Sequence, residues 1–312
     1  MTARFAIYAA PGSGLTGTGT AAVRAADAGP AVAGPALDGV SAALREKAER
    51  WLGRSVTGSP VIPGVPAGWT REAIDAITVD ARRYGFHATL KAPFHLAAGR
   101  TAEELDAALA RFAAARPGVL VPQLTLARLG GFFALVPGTE AAELNALADE
   151  VVTGFDSFRA PATDAELARR KPAGLTPRQR ELLKAWGYPY VLDEFRFHMT
   201  LTDRIPHARQ PEVERTLHGW FGALVGVDLP VAALALFTEA EPGAPFTLHA
   251  EYQLQPIPAS PRAAGQTAKE PDDPRNCPQQ RPPRPRQRNP AWPRPRPGRA
   301  DRRHQPWPGT GG

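Results

Sequence analysis

Two short stretches combine side chains that can do chemistry: His87-Ala88-Thr89-Leu90 and His198-Met199-Thr200-Leu201. Imidazole titrates near neutral pH, so a pair can serve as general base and general acid in one displacement. Threonine hydroxyls can donate to the non-bridging oxygens of a phosphoryl group. On a strand, alternate side chains share a face. That rule groups His87, Thr89 and Lys91 on one strand, and Arg196, His198, Thr200 and Thr202 on the other. Lys91 and Arg196 are then placed to neutralise charge developing on phosphoryl oxygens. No carboxylate cluster accompanies them, so neither a metal nor a cofactor is expected. The set points to metal-free cleavage of a phosphodiester.

A lone His-x-Thr says little, because most such histidines are ordinary surface or core residues. The duplication carries the inference. After each motif comes a loop, an amphipathic helix and a strand of alternating apolar residues, Leu124-Thr125-Leu126 in the first copy and Leu234-Ala235-Leu236 in the second. His87 to Leu126 spans 39 positions and His198 to Leu236 spans 38. A further strand follows each, around Phe133 and Phe246. Two matched copies of strand–helix–strand–strand predict two lobes related by a pseudo-twofold axis, with the histidine strands meeting across a central cleft.

The elements that must position these residues read as mixed α and β. Strands are predicted over 5–10, 85–92, 119–127, 132–136, 195–202, 229–237 and 246–254. Helices are predicted over 44–52, 102–115, 141–158, 163–171, 177–186 and 211–224. Thr101 with Glu104 has the spacing of a capping box, and Thr176-Pro177 supplies a cap followed by proline at the first helical position. The Gly/Ala-rich segment 13–43 shows little apolar periodicity and reads as a loop or short helical fragments. Gly12-Ser13-Gly14-Leu15-Thr16-Gly17 fits a dinucleotide fingerprint, but the helix and parallel strand that motif needs do not follow. Arg169-Arg170-Lys171 and Arg178-Gln179-Arg180 read as a solvated helix face.

At the two motifs the chain resembles the 2H phosphoesterase superfamily, whose members carry paired H-x-T/S-x motifs. The stretches Arg83-Tyr84-Gly85-Phe86-His87-Ala88-Thr89-Leu90-Lys91-Ala92-Pro93-Phe94, Leu126-Ala127-Arg128-Leu129-Gly130-Gly131-Phe132 and Glu194-Phe195-Arg196-Phe197-His198-Met199-Thr200-Leu201-Thr202 are similar to one branch, the DUF1045 proteins, described as acting in phosphonate metabolism. The resemblance spans roughly residues 3–10 and 50–254. It implies a two-lobed α+β fold with a central cleft, with lobe one over about 1–138 and lobe two over about 139–255. It implies metal-independent two-histidine chemistry on a cyclic phosphate or related phosphodiester, with His87 and His198 catalytic and Thr89 and Thr200 binding substrate. Lys91, Arg196 and Tyr84 are added from the residues themselves as substrate-binding candidates. Segment 13–43 is an insertion relative to the branch. Two other readings stay open. One is an RNA 2′,3′-cyclic phosphodiesterase or RNA-end processing enzyme. The other is a non-catalytic nucleotide or RNA-binding module, which cleft cations with Tyr84 and Tyr190 would serve.

Composition narrows the partners. The chain has 312 residues and a formal net charge of +6. Residues 256–312 hold 12 Lys+Arg against 4 Asp+Glu and 15 of the 34 prolines, so residues 1–255 are slightly acidic, near −2. The basic charge therefore belongs to a Pro/Arg-rich tail, expected to be disordered and able to contact nucleic acid weakly. The only cysteine, Cys277, lies in that tail, which excludes an intrachain disulfide or a cysteine-based metal centre. No apolar run is long enough for a membrane helix. The expectation is a cytoplasmic, monomeric enzyme of a small phosphorylated substrate.

Overall fold

Phe5-Ala6-Ile7-Tyr8-Ala9 is apolar on both faces, and such a run has to be covered on both sides. It forms β1 (Arg4–Ala9), with Phe5 through Ala9 buried, in the middle of a large sheet. The computed structural model describes residues 3–12, 22–23, 35–163 and 174–258. All lie in one compact unit, Met1–Pro258; the other unit, Ala259–Trp307, is outside the described residues. So are most of the expected tail, the greater part of the Gly/Ala-rich segment with its glycine fingerprint, and the helix predicted over 163–171 with Arg169-Arg170-Lys171.

The remaining strands are β2 (Ala22–Val23), β3 (Ala88–Phe94), β4 (Val119–Val121), β5 (Thr125–Leu129), β6 (Phe132–Val136), β7 (Met199–Thr200), β8 (Leu229–Val231), β9 (Ala233–Glu239) and β10 (Thr247–Gln253). Among the described residues, eight strands join in the order β2-β10-β9-β1-β3-β7-β6-β5, and β4 pairs with β8. Every pairing is antiparallel except that of β2 with β10. The protein is thus α+β, with a mostly antiparallel sheet. The helices are α1 (Pro35–Leu52), α2 (Arg71–Asp75), α3 (Val79–Tyr84), α4 (Ala102–Ala114), α5 (Ala142–Gly154), α6 (Pro177–Trp186) and α7 (Gln210–Phe221). Among the described residues, no helix is long and apolar enough to cross a membrane.

One face of the sheet carries the main core. Ile7, Ala88, Leu90, Phe133, Leu135, Met199, Leu234 and Leu236 pack there with Leu44 and Trp51 of α1, Leu109 of α4, Val151 of α5 and Leu217 of α7. The opposite face carries a smaller cluster of Ala6, Tyr8, Val56, Ala235, Phe237, Phe246 and Leu248.

The duplicated segments meet their own counterparts. Ala88 pairs with Met199, and Leu120 of β4 pairs with Pro230 of β8. These partners are 111 and 110 positions apart, the same one-residue difference that separates the two motif-to-strand spacings. A residue facing its own counterpart across an antiparallel ladder lies on a local twofold axis of that ladder. The copies also exchange position: β5 and β6 of the first copy lie beside β7 of the second. The strands on either side of residue 138 therefore build one continuous sheet, and the histidine strands are hydrogen-bonded neighbours in it.

Several expected boundaries move. The strand predicted over 119–127 breaks at Gln123, whose φ is +47, and the one over 229–237 breaks at Ala232. The strand expected over 195–202 is paired only at Met199–Thr200, and a 3-10 turn, Leu192–Glu194, precedes the extended segment that leads into it. The strand predicted from 85 begins at Ala88, because α3 runs through Tyr84 and Gly85 closes it with a φ of +76. Helix α1 starts at Pro35, nine positions before the expected start at 44. α4 and α6 carry full capping boxes at Thr101/Glu104 and Thr176/Gln179.

Candidate active site

Directly opposed residues of an antiparallel pair point to the same face. With Ala88 opposite Met199 and both fully buried in the main core, the flanking residues must face the other way. His87 then lies opposite Thr200, and Thr89 opposite His198. The four motif residues form a two-by-two array on the face away from the main core.

The two imidazoles are held alike. His87 Nδ1 lies 2.9 Å from the Gly85 carbonyl oxygen, and His198 Nδ1 lies 2.7 Å from that of Arg196. A carbonyl can only accept, so each neutral ring carries its proton on Nδ1 and leaves Nε2 as the basic nitrogen. The Thr89 hydroxyl sits 3.2 Å from His87 Nε2 and donates to it. Gly85 presents its carbonyl from a left-handed conformation, and a Cβ there would lie 2.3 Å from Val56 Cγ1. Arg54 ties this turn down: its Nη1 donates to the Arg82 and Arg83 carbonyls at 2.9 Å each, and its Nη2 donates to Phe246 O. Asp203, one residue past the second motif's Thr202, caps α3 by accepting from the Asp80 and Ala81 amides at 3.1 and 3.2 Å. The strand of one motif thereby anchors the helix that leads into the other.

Aromatic rings wall the array. Tyr8 stacks on His87 with centroids 3.8 Å apart and planes at 25°. Tyr84 lies 6.2 Å from His87 and stacks on Phe246, while Phe132 lies 5.9 Å from His198. Burial pushes His87 down to about 4, against its bond to the Gly85 carbonyl, with the charges of His198 and Arg54 lowering it further. Burial also lowers His198, against its bond to the Arg196 carbonyl. Burial thus favours the neutral form of both rings.

Two of the expected cations are placed elsewhere. The β1–β3 register runs Tyr8 opposite Thr89 and then Ile7 opposite Lys91, skipping Leu90. That bulge reverses the alternation. Lys91 consequently shares the face of Ile7, where its ammonium donates to the Val152 carbonyl at 3.0 Å and the Asp156 carboxylate at 3.2 Å. Burial lowers it to about 8, opposed by Asp156. The Arg196 side chain is exposed, and its Nη1 donates to the Asp193 and Phe195 carbonyls. What Arg196 contributes to His198 is its backbone. Tyr84 does border the array, beside Arg83, whose guanidinium lies 5.5 Å from its ring. Tyr190 packs on Tyr188 at 5.6 Å. Sequence reasoning missed Tyr8, Arg54 and Gly85. Gly85 alone left a signal, as a glycine two residues before a motif histidine. Among the described residues, no group of three or more His, Cys, Asp or Glu side chains is arranged to hold a metal ion.

A family model described as a protein of unknown function, DUF1045, matches residues 89–247, starting two residues after His87. A curated protein of Janthinobacterium sp. (strain Marseille), ribose 1,5-bisphosphate phosphokinase PhnN, is 42% identical over 216 residues, covering 66% of this chain and 46% of that protein. Another of the same name from Laribacter hongkongensis (strain HLHK9) is 38% identical over 200 residues, covering 64% of this chain and 45% of that protein. The chain spans about half the length of the curated relatives it matches.

Proposed function

This chain belongs to the DUF1045 family, and we propose that it is a 2H-type phosphoesterase cleaving a cyclic phosphate or related phosphodiester by paired-histidine acid–base catalysis. One observation carries the proposal. Two histidines related by a local twofold axis, each locked at Nδ1 by the carbonyl two residues back, present Nε2 on one face with a threonine apiece.

In this reading His87 is the base, since burial holds its imidazole down to about 4 and a charge on His198 weakens its hold on a proton further. Its Nε2 takes a proton from water as the water oxygen attacks phosphorus in line. The P–O bond to the leaving oxygen breaks with its electron pair, and protonated His198 gives that oxygen its Nε2 proton. Thr89 and Thr200 hold the non-bridging oxygens. The substrate's own negative charge raises both imidazoles and helps His198 carry the required proton.

The relatives' name supports a role in phosphonate breakdown on a phosphorylated ribose. It also names a kinase. This chain has no G-x-x-x-x-G-K-[ST] stretch, the loop by which one large class of phosphotransferases cradles a nucleotide triphosphate. We therefore assign the kinase activity to the half of those relatives that this chain does not match. The deciding assay offers purified protein a ribose cyclic phosphate and an RNA with a 2′,3′-cyclic end, each with chelator present. Hydrolysis of the ribose ester under chelation is expected. Complete loss on chelation with rescue by a metal overturns the mechanism, and hydrolysis of the RNA end alone redirects the substrate.

A further inference from the structure

Beside His87 lies a second polar cluster that the acid–base chemistry does not use. Arg4, Ala6 and Tyr8 alternate along β1 on the face of the motif residues, and Arg4 pairs across the sheet with Glu239 of β9. The Glu239 side chain is fully buried. It accepts from Arg4 Nε, from Arg83 Nη2 at 2.6 Å and from the Gly243 amide at 3.0 Å. Two guanidinium groups around one carboxylate leave a net positive charge. They stay on the rim, with 15% and 17% of the Arg4 and Arg83 side chains exposed. Aromatic contacts link this pair to the catalytic array. The Arg4 guanidinium lies 5.8 Å from the Phe246 ring, Phe246 lies 6.3 Å from Tyr8, and Tyr8 stacks on His87.

Two donors in this cluster are unused. The Tyr8 hydroxyl, on a side chain with no exposed surface, and Arg83 Nε are both buried with no hydrogen-bond partner among the described residues. Unmade hydrogen bonds at buried groups are costly and are rarely left so in a native protein. Burial raises the Tyr8 phenol well above its ordinary range, so it remains a donor; the charged groups facing it are Arg4 and Glu239, along with the phenols of Tyr84 and Tyr188. A positive rim beside a buried guanidinium N–H and a buried phenol O–H suits a group that is anionic and accepts several hydrogen bonds.

We propose that Tyr8, Arg4 and Arg83 form a subsite for a phosphate monoester carried by the substrate, a second anionic group distinct from the ester that is cleaved. The proposal rests on the phosphoesterase reading of the array and deepens it: the substrate would be doubly phosphorylated, with its distal phosphate on the His87 side.

The test compares two ligands by calorimetry, adenosine 2′,3′-cyclic phosphate and the same molecule with a 5′-phosphate. The wild-type protein should bind the 5′-phosphorylated ligand at least about tenfold more tightly. Tyr8→Phe, which removes only the hydroxyl, and Arg83→Lys, which keeps the charge beside Glu239, should each shrink that ratio toward one. A wild-type ratio near one overturns the subsite. So does a ratio unchanged in both variants, or an equal loss for both ligands. Turnover is followed on the same samples. If neither ligand is hydrolysed, the phosphoesterase reading suffers while the affinity ratio still decides the subsite.

Discussion

The strands that carry His87 and His198 hold their imidazoles alike and surround them differently. In both, Nδ1 is bonded to the carbonyl two residues back, and the residue after the histidine is buried in the main core. Beyond that the two diverge. His87 precedes a seven-residue strand, stacks on Tyr8, accepts from Thr89 and takes its carbonyl from a helix-terminating glycine. His198 precedes a two-residue strand, takes its carbonyl from the extended segment after a 3-10 turn and borders Phe132. The motif backbone sets tautomer and direction; the neighbours set proton affinity. A symmetric pair of histidines can thereby divide the roles of base and acid.

The severest way to break the comparison is to remove each ring. His87→Ala and His198→Ala should each lower kcat by about 10²–10⁴-fold. The double variant should fall well short of the product of the two losses, because the groups act in one displacement. Steady-state kinetics on variants with unchanged circular dichroism would check this. A variant of either histidine with full activity would dismantle the paired array.

The division of labour has its own pH signature. With His87 as the proposed base and His198 as the proposed acid, kcat/KM should fall on the acid side as His87 protonates, near about 4. It should fall on the alkaline side as His198 loses its proton, at a pH below its ordinary value of 6.5. The optimum is therefore acidic, and kcat should peak at higher pH because bound anion raises both rings. Stability follows the same sign. Both rings bind protons more readily unfolded than folded, so their contribution is present above about pH 6.5 and is lost as the pH falls toward 4. Titration of the ring protons by NMR, beside thermal melts over that range, would test it. A His87 that titrates above His198 would exchange the proposed roles.

These asymmetries were only partly visible in the amino-acid sequence. The paired motifs, their spacing, the capping box of α4 and the Thr176-Pro177 start of α6 were legible because each is a local pattern of residue types. Strand alternation named Lys91 and failed, because one bulge at Leu90 reverses the face and a bulge leaves no mark in residue type. Tyr8 was invisible for a different reason: a strand buried on both faces has no alternation from which to read its site-facing side. The start of α1 was hidden by Gly39, although Ser41, Leu44, Ala48 and Trp51 keep helical spacing and are all buried. The turn at Leu192 ahead of β7 was hidden too, because nothing in the residue type foretells its φ of +53.

A subtler probe separates the two carbonyl supports. Gly85→Ala forces a β-carbon into the left-handed region and against Val56, and should cost about 1–3 kcal/mol of stability. It should also displace the carbonyl that orients His87, lowering kcat while leaving ligand affinity less affected. The matching change on the other strand, Arg196→Ala, keeps the carbonyl and removes only an exposed side chain. Its effect on stability should stay within about 0.5 kcal/mol. Urea denaturation with kinetics on both variants would show whether the supports are as unlike as their geometry.

Lys91 gives the smallest expected effect on catalysis and the sharpest check on the bulge. If its ammonium serves Val152 and Asp156 on the core face, Lys91→Met should leave kcat and the pH limbs of both histidines close to wild type. Asp156 would keep its partner Arg159, bonded at 2.7 Å, so the loss of stability should be only about 1–3 kcal/mol. A large fall in kcat with little loss of stability would return Lys91 to the catalytic face. It would then be the β1–β3 register, more than the identity of the histidines, that needed revision.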